Sequence, residues 1–127
     1  MPTTASKTMS TKEIAKKLKK LCEKGEFQTA QKELFGKNAV SIEPMASEAF
    51  EKETHGLDAI LKKAEKWDNM VTEKHSMEIS DPMIAGNTFA LTMRMDVTMK
   101  DRKRMDMTEL CVYHVKDGKI ISEQFFM

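Results

Sequence analysis

Glu109-Leu110-Cys111-Val112-Tyr113-His114-Val115-Lys116-Asp117-Gly118-Lys119-Ile120-Ile121-Ser122-Glu123-Gln124-Phe125-Phe126-Met127 occupies the last positions of the 127-residue sequence. Asp117-Gly118 is a two-residue turn signal, because both central positions of a type I′ turn need positive φ. The flanking segments therefore read as a hairpin of strands at about 104–116 and 119–126. Upstream, Phe89, Leu91, Met93, Met95, Val97 and Met99 alternate with Ala90, Thr92, Arg94, Asp96 and Thr98. That period of two marks a strand with one apolar face, joined to the hairpin by a charged loop at 100–103. From Lys74, His75, Met77 and Ile79 alternate with Ser76, Glu78 and Ser80 before Asp81-Pro82 kinks the strand and Gly86-Asn87 turns the chain.

The preceding half is mostly helical. Ser10-Thr11-Lys12-Glu13 is a capping box ahead of Ile14, Leu18 and Leu21, so a helix is expected over 11–24, ended by Gly25. A second is expected over 26–35, with Gly36 as its stop. Ala39 to Glu43 reads as a short strand closed by Pro44, and 45–52 as a polar loop. Thr54 and His55 are expected to cap a third helix carrying Leu57, Ile60, Leu61, Ala64 and Trp67 at helical spacing. Helices followed by a run of antiparallel strands predict an α+β fold: N-terminal helices in the concave face of a strongly curved, mainly antiparallel sheet. Such a cone leaves a concave apolar space of the kind that binds small molecules.

One domain over 11–127, after a flexible tail over 1–10, fits the length. Net charge is +1 with the cations dispersed, which argues against nucleic acid as a partner. No apolar run approaches a bilayer span, and 1–10 contains no signal-type apolar region, so neither a membrane nor secretion is expected. Cys22 and Cys111 read as reduced, covered thiols of a cytoplasmic protein. The three histidines lack metal spacing, and neither a metal nor another cofactor is expected. Twelve methionines against six Phe, one Tyr and one Trp give an adaptable apolar interior.

Three segments carry a resemblance: Ala39-Val40-Ser41-Ile42-Glu43-Pro44, His55-Gly56-Leu57-Asp58-Ala59-Ile60, and Val115-Lys116-Asp117-Gly118-Lys119-Ile120 followed by Phe125-Phe126. In this order and at these distances they resemble the SnoaL-like branch of the nuclear-transport-factor-2-like (NTF2-like) superfamily, over about 11–127. The resemblance implies a cone-shaped fold that often dimerises through the convex side of its sheet, and it does not fix an activity. In the ketosteroid isomerases of that superfamily, a carboxylate just before a proline is the general base, and Glu43 matches it. A carboxylate at a cavity mouth between Ile42 and Pro44 is held partly out of water, which suits abstraction of a proton next to a carbonyl. The isomerases' oxyanion donors are missing: the first helix has no Tyr, and Leu110 stands at the aspartate position. Any enzyme here needs another donor.

The hairpin leaves two readings of its faces open. A bulge-free pairing puts Leu110, Val112 and His114 with Glu123, Phe125 and Met127 on one face, and Met105, Met107, Glu109, Cys111 and Tyr113 with Ile120 and Phe126 on the other. Analogy puts the first set inside, hydrophobicity the second, and a one-residue slip exchanges them. Glu109 and Glu123 are thus rival cavity carboxylates, with Arg94 and Lys119 as possible partners. His75, on the inward series, would donate to or protonate a ligand oxygen beside Trp67. The pattern favours acid/base proton transfer (isomerisation, cyclisation or dehydration) on a hydrophobic carbonyl compound. The expected catalytic groups are Glu43, His75, Glu109 and Glu123. Trp67, Met77, Phe89, Met93, Leu110 and Phe125 would shape the pocket. The alternative is a non-catalytic ligand-binding or dimerisation module, in which an outer face with Tyr113 and Phe126 meets a second copy.

Overall fold

The computed structural model describes residues 8–127, so residues 1–7 of the expected tail lie outside the described residues. Met9 packs against the core. Helix α1 spans Thr11–Glu23 and opens with both halves of the capping box: Glu13 N–H donates to Ser10 Oγ at 3.1 Å, and Ser10 N–H to Glu13 Oε1 at 2.9 Å. Its stripe of Ile14, Ala15, Leu18 and Cys22 is buried. Helix α2, Phe27–Leu34, runs without a loop into strand β1, Phe35–Ile42. Gly36 therefore lies inside a strand, not at a helix stop. Phe35 is buried and pairs with Ile120 of the last strand, and that pairing ends the helix at Leu34.

Strand β2, Glu53–His55, pairs antiparallel with β1. This pairing takes Thr54 away from the expected capping role. Helix α3, Leu57–Met70, starts instead at Gly56, at φ 92° and with no side-chain cap, and His55 bonds Glu53 at 3.1 Å. Strand β3, Val71–Ile79, follows α3 directly, three residues earlier than the alternation predicts. The short β4, Met83–Ala85, pairs with β5, Thr88–Met99. β6, Arg104–Lys116, and β7, Lys119–Phe126, form the expected hairpin, with Asp117 at φ 51° and Gly118 at 76°. The sheet order is β2-β1-β7-β6-β5-β3, with β4 beside β5. Only β1 and β7 run parallel among these pairings. The result is an α+β fold with helices against one face of a curved, mainly antiparallel sheet. No described helix is long and apolar enough to cross a membrane.

Two bulges redirect side chains. In β3, Lys74 pairs with Val97 and Ser76 with Asp96, which leaves His75 as the extra residue. Its Nε2 lies 2.7 Å from Thr98 Oγ1, so His75 departs from the inward series of Met77 and Ile79. In β7, Val115 pairs with Ile120 but His114 pairs with Ser122, which makes Ile121 the extra residue. That slip merges the two readings of the hairpin. Glu109, Cys111, Tyr113 and Val115 point inward, and beyond the bulge so do Glu123 and Phe125, because Tyr113 now faces Glu123 and Cys111 faces Phe125. Leu110 is turned out and 41% exposed, and Tyr113 is buried, so neither keeps its expected place in the pocket wall or on the outer face.

Phe89 belongs to the solid core and not to the pocket wall. It is 1% exposed and stacks on Tyr113 with ring centroids 4.8 Å apart. A Phe89→Ala substitution is expected to cost about 3–5 kcal/mol. Urea unfolding of the two proteins measures it, and a loss well below that range would mean that the ring borders open space.

Candidate active site

The concave face keeps a cavity of about 640 Å³ between the helices and the sheet. Leu18, Cys22, Phe27, Ile60 and Trp67 line it from the helices, and Met93, Met95, Tyr113 and Phe125 from the sheet. Pro44, Met45, Ser47 and Phe50 bring the 44–52 loop over it. Six of the twelve methionines reach this wall (Met45, Met93, Met95, Met105, Met107 and Met127), so much of the lining is unbranched and able to repack.

Three carboxyls and one amine enter this apolar space: Glu43 just after β1, Lys63 from α3, Glu109 from β6 and Glu123 from β7. Glu123 is 5% exposed, and Ser41 Oγ donates to its Oε2 at 2.7 Å. The parallel pairing of β1 with β7 sets Ser41 opposite Glu123 and so creates this bond. Lys63 Nζ in turn donates to Ser41 Oγ at 2.9 Å, forms an ion pair with Glu43 Oε2, and lies 5.5 Å from the centre of the Phe125 ring. One ammonium group thus links two of the carboxyls, directly and through a hydroxyl. Glu109 is half-buried on the same wall, and its carboxyl makes no hydrogen bond or close ion pair among the described residues.

Burial governs the protonation of this cluster. Desolvation, together with the negative charges of Glu43 and Glu123, pushes the Glu109 carboxyl up from 4.5 to about 7, against the pull of Lys63. Desolvation likewise pushes Glu123 up from 4.5 to about 7, against the Ser41 bond and Lys63. Both are then poised to hold or release a proton near neutrality, as an acid/base group at that pH must be. Cys22, pushed up to about 12 by burial, and Cys111, raised further by the same cause, remain protonated and poorly nucleophilic.

The structure gathers Glu43, Glu109 and Glu123, with Trp67, Met93 and Phe125, around one space. Met77 and His75 line a smaller neighbouring cleft of about 220 Å³, which shares Phe27, Trp67 and Met95 with the large cavity. The proposed partners of the carboxylates lie elsewhere. Arg94 binds Asp106, with 3.0 and 2.7 Å contacts, and also Glu78, while Lys119 donates to the Glu33 carbonyl. The residue that the sequence pattern hides is Lys63. It sits three residues after Ile60 and four before Trp67, on the helix face taken as purely apolar, and it reads there like any solvated lysine. Its position within the apolar stripe is the one available signal. Among the described residues, no group of three or more His, Cys, Asp or Glu side chains is arranged to hold a metal ion.

A family model described as a SnoaL-like domain matches residues 9–127. A solved structure from Mesorhizobium loti, described as a candidate SnoaL-like polyketide cyclase with carbohydrate phosphatase as a bracketed second description, is 32% identical. It superposes with a TM-score of 0.86 over 94% of this chain and 100% of that one. An NTF2-like protein of unknown function from Burkholderia pseudomallei is similar at 10% identity and a TM-score of 0.76, covering 94% of this chain and 92% of that one. A cystatin-like-fold protein of unknown function from Xanthomonas campestris gives 16% identity and a TM-score of 0.73, with 93% and 90% covered. No curated protein sequence matches. A family model over nearly the whole sequence and a relative above 30% identity agree with the α+β fold: the chain belongs to the SnoaL-like domain family, within the NTF2-like fold.

Proposed function

We propose that this protein catalyses acid/base proton transfer (isomerisation, cyclisation or dehydration) on a hydrophobic carbonyl compound held in the cavity. The observation that carries the reading is a pair of carboxyls, Glu109 and Glu123, raised to about 7 in an apolar space that also contains one ammonium group. Glu109 takes a proton from the carbon next to the carbonyl. It is the carboxyl that the protein leaves free to face a ligand. Lys63 stabilises the negative charge that develops on the carbonyl oxygen, which fills the gap left by the missing tyrosine and aspartate donors. Glu43, the base position implied by resemblance, holds Lys63 in place through their ion pair and is the second proton acceptor. Glu123 anchors Ser41 and is a reserve acid. His75, turned toward Thr98, has no part in this scheme.

Exchange of the α-hydrogens of 2-tetralone in D2O, followed by mass spectrometry, tests the proton transfer with a generic carbonyl probe. The wild type is expected to accelerate exchange, and Glu109→Gln to slow it by about 10²–10⁴-fold. Unchanged exchange in that variant removes Glu109 as the base.

The same carboxyls impose a pH dependence on stability. Their native values lie near 7 and their ordinary values near 4.5. Between these limits the folded chain holds more protons than the unfolded one, so stability is full at low pH and falls as pH rises through about 7. Glu123→Gln, which mimics the protonated acid, is expected to match the wild type in Tm at pH 5 and to exceed it at pH 8. A difference in Tm that does not change between pH 5 and pH 8 would contradict the raised value.

Association of two copies through the convex face is part of the same reading. Leu110 and Phe126, cross-strand partners, are 41% and 45% exposed there, and Ile121, toward the other end of β7, is 40% exposed. Analytical ultracentrifugation is expected to find a dimer that Leu110→Asp converts to a monomer. A wild type that sediments as a monomer at high concentration disposes of the interface.

A further inference from the structure

We infer that Lys63 is also a nucleophile, forming an imine (Schiff base) with the carbonyl group of an aldehyde or ketone bound in the cavity. The inference rests on the cavity reading above, but it assigns Lys63 a covalent step where that reading needs only its charge.

The geometry supplies each group that the step requires. The Lys63 side chain is 16% exposed and ends inside an apolar cavity, beside the Phe125 ring. An attacking amine must lose its proton, and the Glu43 carboxylate in contact with Nζ is placed to accept it. Ser41 Oγ, 2.9 Å from Nζ, fixes the direction of approach. Glu109, on the same wall and without a protein partner, has a proton to give near neutral pH.

The step balances without an added oxidant or reductant. The Lys63 ammonium passes one proton to Glu43, and the neutral Nζ attacks the carbonyl carbon; the C–N bond forms as the C=O π bond opens, and Glu43 returns its proton to the alkoxide while taking the second proton from Nζ, which gives the neutral carbinolamine. The hydroxyl of the resulting carbinolamine leaves as water with a proton from Glu109, and the nitrogen lone pair closes the C=N bond. The protonated imine is a stronger electron sink than a carbonyl. It would let the same cavity make or break carbon–carbon bonds next to that carbon, an aldol-type reaction.

Reductive trapping tests the inference on the full chain. The protein is incubated at pH 7 with 2-naphthaldehyde and sodium cyanoborohydride, and peptide mass spectrometry maps the stable amine adducts. Exposed lysines such as Lys12 and Lys16 serve as internal controls. Lys63 is expected to be labelled about tenfold faster than these, and Glu43→Gln to abolish that advantage. Labelling of the exposed lysines with none at Lys63 overturns the inference. A Lys63 labelled no faster than Lys12 and Lys16 overturns it as well. Failure of the proton-transfer reading is seen separately, as 2-tetralone exchange that Glu109→Gln leaves unchanged, because trapping at Lys63 in the wild type needs no turnover.

Discussion

Burial of the Glu123 carboxyl is the constraint on which the site depends. A charge taken out of water needs compensation, and the structure provides it from two other elements at once: the Ser41 hydroxyl on β1 and, through it, the Lys63 ammonium on α3. Ser41 can reach because β1 runs parallel to β7 and, beyond an irregularity between Phe35 and Val40, pairs Ser41 with Glu123. Glu123 faces inward because Ile121 bulges out of the β6–β7 pairing. Without that extra residue, Glu123 and Phe125 would lie on the outside of the sheet, the Ser41 bond would have no acceptor, and Lys63 would keep only its contact with Glu43.

The inner and outer faces of the sheet use charge in opposite ways. Outside, Arg94 bridges Asp106 and Glu78, and Arg104 grips Asp96 with two contacts of 2.9 and 2.8 Å. These pairs lower the Asp96 and Asp106 carboxyls, chiefly through hydrogen bonds to the guanidinium groups. They hold strands together, Asp96 nearly covered beneath its exposed Arg104 partner, and have no reason to exchange protons at neutral pH. Inside, burial strips water from the carboxyls, three of which share one cation, and two of them move to about 7. Chemistry is therefore expected where compensation is incomplete and the walls are greasy.

The methionine wall fits this electrostatic core. A cavity of about 640 Å³ lined by flexible thioethers can take flat or branched apolar bodies without a precise fit. Orientation of a ligand then falls to the few polar groups, above all Lys63 and Glu109. The loop carrying Pro44, Met45 and Phe50 follows Glu43 directly and lines the cavity beside it.

What the sequence settles by itself is whatever local periodicity and turn chemistry dictate. The capping box places α1, the strict alternation over Phe89–Met99 places β5 and its inner face, and Asp117-Gly118 places the last hairpin. Together with the three resembling segments, these define the α+β cone. The inventory of carboxyls Glu43, Glu109 and Glu123 is legible too, because each interrupts an apolar setting. Tertiary structure alone decides which of them meet. A bulge is one unpaired residue with no sequence mark of its own. The one at Ile121 brings Glu123 to the side of Glu109, and the one at His75 turns that ring toward Thr98. Lys63 could not be singled out, since a lysine on an amphipathic helix is normally solvated. Only the folding of β1 and β7 against α3 buries its end and gives it partners. Periodicity records which face a side chain should take, whereas register and helix docking determine the face it takes and the charges it finds there.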